Sequence, residues 1–521
     1  MGRGAHKAGL LTIAAVAALG AMVLVVSPYQ ASSSQTSTGA GVAEPAGGVL
    51  ATVELPGTRP VPRSFLGLST EYQPIPTWAG RSSGLFARVL RLLRPPEGGP
   101  LLLRVGGDSA DRSFWVPPGS GAPPWALALT PAWLQTTRAL VRRTGARLIL
   151  DLNLVTGSPA GNARWARAAE RGLPRGAISG FEIGNEPDIY NRRAWLENIF
   201  RRRSDGSLIP KVITSAGYDR RFRSDAAALA RVAPGVPLSG PALAHPSADA
   251  AWISDLLARR EPGLRTMTTH IYPLSACARA SWRRYPTIAR VLSARATGDR
   301  ARALQSSVVA THRAGLAYRV SELNSVTCGG LAGVSNAFAT ALWAPQALFA
   351  LLRAGVDGAD IHVRSDTINA AFALEARRGL IARPLLYGLI LFDRTLGSDA
   401  RLARVELRGR TDSLRSWAVT VGSTDLNVLV INQGQRTTHV ALAAPAGASG
   451  PARIEWLRAP SLRATSGVTL DGRWLGANGR WHGHLRVGTS PSLAGRYPLT
   501  VPGASAAILE LRLAGSGGQD A

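Results

Sequence analysis

From Phe65 to Val363, short apolar segments alternate eight times with longer amphipathic ones, and few folds accept that rhythm. Apolar runs of strand length separated by helical patterns are the mark of βα units around a parallel sheet. The expected strands are Phe65 to Tyr72, Leu101 to Gly106, Arg147 to Leu154, Ser179 to Asn185, Val236 to Ala242, Thr266 to Tyr272, Ala317 to Glu322 and Ala359 to Val363. Helical patterns fill the gaps at Pro131 to Arg143, Asp249 to Arg260, Tyr285 to Ala314 and Ser335 to Arg353. The fold expected is α/β, a (β/α)8 TIM barrel.

With 521 residues the chain has room for a second unit. Beyond Leu396 the texture changes to period-two alternation with turn residues between the runs. Arg404 to Arg408, Ser416 to Val421, Asn427 to Asn432, Thr438 to Ala443 and Ala506 to Leu513 read as an antiparallel β-sandwich. The division expected is an export element at 1–31, a linker at 32–48, the barrel at 49–396, the sandwich at 397–515 and a tail at 516–521. Residues 49–58 are a candidate extra strand of the sandwich.

Apolar residues make up 45% of the chain and charged residues 18%, so a sizeable core forms and wholesale disorder is excluded. The net charge of +27 invites a nucleic-acid reading, but lysine occurs only as Lys7 and Lys211, and the arginines are scattered over helical faces such as Arg138, Arg142 and Arg143. No nucleic-acid module accompanies the charge. An acidic glycan or an anionic lipid is the better partner for it. Arg3 and Lys7 precede the apolar run Leu10 to Val26, and the polar stretch Ser32 to Thr38 follows. That pattern reads as a cleaved signal peptide or an uncleaved anchor, the only membrane contact expected, in an extracellular or envelope-associated protein. The histidines are dispersed and the two cysteines lack zinc spacing, so no metal or cofactor is expected.

Catalysis in such barrels belongs to the C-terminal ends of the strands. Glu186 follows the fourth strand and Glu322 ends the seventh, while Glu71 ends the first, Asp108 and Asp111 follow the second, and His270 and Tyr272 end the sixth. Either glutamate alone reads as a solvated loop charge. Two carboxylates at one rim, flanked by Asn185, His270 and Tyr272, can protonate a leaving oxygen and stabilise an oxocarbenium-like transition state, the chemistry of glycoside hydrolysis.

The residues that carry this pattern are similar to a known family. Asn185-Glu186-Pro187 after strand four and a second Glu after strand seven resemble the large (β/α)8 glycosidase clan. Leu103 to Asp111, Thr269 to Leu274 and Ser321 to Gly330 resemble glycoside hydrolase family 79, which includes heparanase and bacterial β-glucuronidases. The resemblance implies a retaining β-glycosidase for β-glucuronides or uronic acid-containing glycans, with Glu186 as acid/base and Glu322 as nucleophile. It implies that Glu71, Asp111 and Asn185 hold sugar hydroxyls. Strand alternation points His270 and Tyr272 into the same mouth, to position Glu322 by hydrogen bonds. Trp78 and Trp115, each in a rim loop, are candidates either for stacking on sugar faces or for simple packing. Cys277 and Cys328 follow strands six and seven closely, so the fold brings both to one rim as a disulfide pair.

The family reads the substrate carboxylate with a Tyr five residues past the nucleophile, with glycine amides, and with a second Tyr after strand eight. Here the first position is Thr327 and the second falls near Phe372, leaving Gly329 and Gly330 as amide donors. A relative acting on neutral β-glycosides and a non-enzymatic carbohydrate-binding protein of the envelope are the alternatives.

Overall fold

The computed structural model describes residues 48–94, 98–190 and 214–514. The export element, the linker apart from Gly48, and the tail lie outside these residues. Among the described residues no helix is long and apolar enough to cross a membrane.

Eight parallel strands close into a barrel: Leu66–Glu71, Leu102–Gly106, Arg147–Leu152, Ile178–Ile183, Leu238–Leu243, Leu264–Ile271, Ala317–Leu323 and Gly358–His362. They coincide with the eight apolar segments of the sequence to within a few residues. Their outward residues, such as Leu103, Val105, Phe181 and Ile183, are buried under the helices. The inward positions are strongly polar. Near the start of the strands, Arg319 makes a two-pronged bond to Asp360 (2.5 and 2.7 Å). That pair joins neighbouring strands, and Gly67 on the next strand leaves room for it, since a Cβ there would lie 1.9 Å from an Asp360 oxygen.

Local signals set the helices. Pro131–Thr144 starts with Pro at its first turn, and the Thr130 side chain accepts from the Trp133 amide at 3.2 Å. It ends at Gly145 in the left-handed region, and Trp133, Leu134, Thr137, Leu140 and Val141 form the buried stripe. Two expected helices are corrected. The span read as Tyr285 to Ala314 breaks into Ile288–Val291, Ala294–Ala296 and Gly298–Arg313, because Thr287, Ser293 and Thr297 start new turns. The helix expected from Ser335 begins at Ala339 instead.

The C-terminal strands form an antiparallel sheet domain whose long members are Ala400–Arg408, Leu414–Val421, Asp425–Asn432, Ala448–Arg458 and Ser505–Leu513. Val49–Pro60 pairs antiparallel with Ala400–Arg408 and parallel with Thr438–Ala443, placing it inside that sheet. Alternation divides each central strand between two cores. Val428, Val430, Leu509 and Leu511 face a core within the domain. Leu429, Ile431, Ala506 and Ile508 join the barrel core, where helix Pro384–Leu396 is sandwiched and Trp417 stacks on Phe349 at 5.5 Å. Removing such side chains from water stabilises by roughly 1.5–3 kcal/mol each, which ties sheet and barrel firmly together.

Candidate active site

The fourth strand delivers Glu186 through a tight turn. Gly184 sits at φ 83°, where a Cβ would come within 2.6 Å of Leu154, and Glu186 itself is at φ 51°. A non-glycine residue in that region costs of order 1–3 kcal/mol and persists when its surroundings hold it. Here the Glu186 amide donates to the Ala242 carbonyl at 3.0 Å, and Pro187–Ile189 follow as a short 3-10 turn. Asp188 completes the brace by accepting the amides of Ala244 and His245, each at 2.9 Å.

Glu322 is aimed by a different device. The seventh strand shifts register against both neighbours between Val320 and Leu323, a bulge at Ser321. Bulges re-aim side chains beside active sites. The Glu322 carboxylate accepts from Arg104 Nη1 at 2.5 Å and from the Tyr272 hydroxyl at 2.7 Å. His362 Nδ1 lies 3.6 Å away and His270 Nδ1 3.9 Å. Burial works to raise its pKa, but the charges of His362, His270 and Arg104 and the Tyr272 bond together push it below the ordinary glutamate value. Glu322 is held as an anion.

Arg104 is the residue that sequence reasoning passed over, although it stood within a quoted motif. It is wholly buried and donates to Glu182 (2.6 Å), Asp151 (2.9 Å), Asn185 (3.0 Å) and Glu322. Burial alone would lower its pKa; Glu182, Asp151 and Glu322 raise it well above the ordinary value. The available signal was a charge at an inward position of an otherwise apolar strand, since an isolated buried cation needs acidic partners. His362, at the end of strand eight, was also missed.

Of the expected supporting residues, Tyr272 bonds Glu322 as anticipated. His270 does not: its Nδ1 is 2.9 Å from Glu186 Oε1, so it supports the other glutamate. Asn185 turns its oxygen to Arg104 and its amide to Asp108 at 3.4 Å. Glu71 lies at the mouth and accepts from the Ser109 amide at 2.8 Å. Asp111 is a correction. It is wholly buried, with one oxygen taken by the amides of Leu154 and Val155 and the other by Tyr190 at 2.7 Å. The turn Gly107–Arg112 rotates Asp108 toward the mouth in its place. Burial, then the charges of Glu71, Glu186 and Glu322, push the Asp108 carboxyl well above its usual range.

Of the two tryptophans, Trp78 is the packing alternative, buried against Phe86 with ring centroids 4.7 Å apart, while Trp115 is partly buried and lies against Trp165 at 5.9 Å. The Gly330 amide is turned to the Thr327 carbonyl at 3.3 Å, so it does not serve as a substrate donor; Gly329 stands beside it, its carbonyl accepting from Ile368 and Asn369. Phe372 is wholly buried against Trp78. Cys277 and Cys328 are joined, with Cα atoms 5.9 Å apart.

One carboxylate oxygen from each of Glu186 and Glu322 and a ring nitrogen of His270 all lie within 4.8 Å of one another. That set, like Asp188, His245 and Asp249, has metal-ligating atoms, but Glu322 is already engaged by Arg104 and Tyr272 and Asp188 by two amides. Beside Glu71 the mouth widens into a cavity of about 460 Å3 lined by Asp108, Arg112, Arg364 and Asp366.

The fold is shared with glycosidases of known structure. A 4-O-α-L-rhamnosyl-β-D-glucuronidase from Fusarium oxysporum 12S superposes with a TM-score of 0.69 at 15% identity, over 88% of this chain and 99% of that one. An α-L-arabinofuranosidase from Thermotoga maritima gives 0.62 at 16% identity, over 89% of this chain and 100% of the other. CelM2, a bifunctional glucanase-xylanase from a metagenome library, gives 0.58 at 13% identity, over 90% and 99%. No family model and no curated protein matches the sequence. Neighbours named for such different sugars show that the architecture does not choose the substrate.

Proposed function

We propose that the chain is a retaining β-glycosidase with Glu322 as nucleophile and Glu186 as acid/base. The observation that carries this reading is the approach of the two carboxylates, with oxygens within 4.8 Å. Retaining enzymes need their carboxyl groups about 5–5.5 Å apart, whereas inverting ones leave space for a water between them. In the first step Glu322 attacks the anomeric carbon while Glu186 gives its proton to the departing oxygen. Ester formation removes the Glu322 charge, and Glu186 then takes a proton from the water that cleaves the ester. Arg104 and Tyr272 hold Glu322 on line, and His270 orients Glu186.

For the substrate we favour a β-glucuronide or a uronic acid-containing glycan. The motif resemblance to family 79, the charge of +27 and Arg364 at the mouth beside Glu71 and Asp108 support it. A neutral β-glycoside is the second reading, favoured by Thr327, by the buried Phe372 and by the internal bond of Gly330. The N-terminal pattern and the joined cysteines support an exported protein.

The test is hydrolysis of aryl β-glucuronide, β-glucoside, β-galactoside and β-xyloside. A kcat/KM for the glucuronide at least about tenfold above the glucoside is expected, the worth of one charge-assisted hydrogen bond. Equal or reversed preference promotes the neutral reading. Glu322→Gly should lose nearly all activity and regain part of it with azide, yielding the inverted α-azide. Retention of most of the wild-type rate by that variant would remove Glu322 from its role.

A further inference from the structure

Arg104 ties Glu322 to two buried acids that take no part in the double displacement. Asp151 and Glu182 are direct register partners on the neighbouring strands Arg147–Leu152 and Ile178–Ile183, and both turn inward to Arg104. Such neighbours lie about 4.8 Å apart along the sheet. Gly106 on the strand beside them makes the room, because a Cβ there would collide with the Asp151 side chain.

The way they meet the arginine brings them closer still. Glu182 accepts from Nε at 2.6 Å and Asp151 from Nη2 at 2.9 Å. Those two nitrogens form one edge of the guanidinium, the fork that a single carboxylate ordinarily fills with both its oxygens. Here two carboxyl groups share the fork, one oxygen each, and stand side by side. Their other oxygens, Asp151 Oδ1 and Glu182 Oε1, are buried and accept no hydrogen bond. Buried polar atoms are nearly always satisfied, and two ionised carboxylates at such range repel. One proton answers both problems, since it turns one acid into a donor and leaves the other as its acceptor.

The surrounding charges agree. Arg319 is spent on Asp360, the other acid that feels Glu182. Glu322 has Tyr272, His270 and His362 about it as well as Arg104. Burial first, and then the charges of Glu182, Asp111 and Glu322 against the pull of Arg104, push the Asp151 carboxyl well above its usual range. Tyr72, Tyr190 and Tyr218 also face the pair, as phenols whose pKa values burial and nearby carboxylates raise, so they stay neutral.

We propose that Asp151 and Glu182 hold a single proton between them and act as a positioning pair, carrying one negative charge, that sets how strongly Arg104 grips the nucleophile. The consequence for catalysis rests on the reading of Glu322 as nucleophile; the shared proton does not. When Glu322 becomes an ester, Arg104 loses one anion and keeps another, so the buried cation stays matched through the intermediate. Were both acids neutral, Arg104 would rest its whole charge on Glu322 and hold it back from the anomeric carbon. The proton remains on the pair throughout and passes to no substrate.

The experiment is infrared spectroscopy of the full chain at neutral pH, reading the carbonyl stretch of un-ionised carboxyl groups in wild type, Asp151→Asn and Glu182→Gln. Each variant should lose the same single band, because the acid left behind ionises against Arg104. Should Asp151→Asn not fold, Glu182→Gln carries the test. Loss from neither variant, as for two ionised acids bridged by water, overturns the proposal, and so does loss from only one of them. Kinetics on the glycoside that the substrate panel selects read the consequence. Each single variant should cost less than about tenfold in kcat, and the double variant about tenfold more, the worth of one charge-assisted hydrogen bond, with KM little moved. A double variant no slower than the singles overturns the role given to the pair. Bands lost in both singles of a protein that cleaves no glycoside would uphold the shared proton and defeat only the glycosidase reading.

Discussion

Arg104 bonds Glu322 across the barrel interior, Nη1 to Oε1 at 2.5 Å, while its other nitrogens hold Glu182 and Asp151. One wholly buried cation therefore serves three carboxylates from three other strands, and the nucleophile candidate is continuous with the barrel's polar interior.

Arg104→Met should be among the most damaging single changes. Removing one partner of a buried ion network strands the others, at a cost of about 3–5 kcal/mol. Urea unfolding at neutral pH measures it, and a loss below about 1 kcal/mol would mean that the network is not what holds these strands.

Tyr272→Phe should move the acid limb of kcat/KM upward. The Glu322 pKa is depressed in the folded protein, so its stabilising contribution is present above the unfolded value of about 4.3 and fades as pH falls through the lower folded value. Deleting the hydroxyl takes away one of the groups that depress it. A fall in kcat on the order of tenfold should accompany the shift, as for loss of a hydrogen bond to a charged group. An acid limb identical to wild type would dissociate Tyr272 from the charge on Glu322.

His270→Gln should be felt through the leaving group. Burial opposes protonation of His270, but the Glu322 charge and then the bond to Glu186 raise its pKa above the ordinary value. Stabilisation from that shift is full below about pH 6.5 and is lost as pH rises through the folded value. With its partner altered, Glu186 assists poorly, so alkyl glycosides should slow far more than dinitrophenyl glycosides, which depart without a proton. Equal slowing across leaving groups would place His270 with Glu322 instead.

Reduction of the Cys277–Cys328 bridge should lower the melting temperature. Its sequence separation of 51 residues corresponds to roughly 4 kcal/mol of loop-closure entropy in the unfolded chain. Non-reducing peptide mapping of exported protein should recover the linked peptides. Two alkylatable thiols there would remove the bridge.

The barrel was legible because burial on both faces leaves strands such as Leu101 to Gly106 as dense apolar runs bounded by helical patterns. Glu186 and Glu322 were legible because strand ends fix where a side chain emerges. What lay between was less so. Asp108 and Asp111 are three residues apart in one 3-10 turn, and only its geometry decides which meets the mouth. His270 has a glutamate within reach on either side, and the sequence does not choose between distances of 2.9 and 3.9 Å. The strand Ala448–Arg458 escaped because Gly450 and Pro451 break its pattern; they lie where its pairing with Ser505–Leu513 shifts register between Ser449 and Arg453.

The strand Val49–Pro60 has a consequence in time. It leaves the ribosome ahead of every barrel strand, yet its neighbours, Ala400–Arg408 and Thr438–Ala443, are made only after the whole barrel. Its ladder groups must wait, and the sheet stays open until the late strands arrive to flank it. The order of synthesis and the order of assembly thus run in opposite directions at this seam, and strands made after the barrel are what fasten the one made before it.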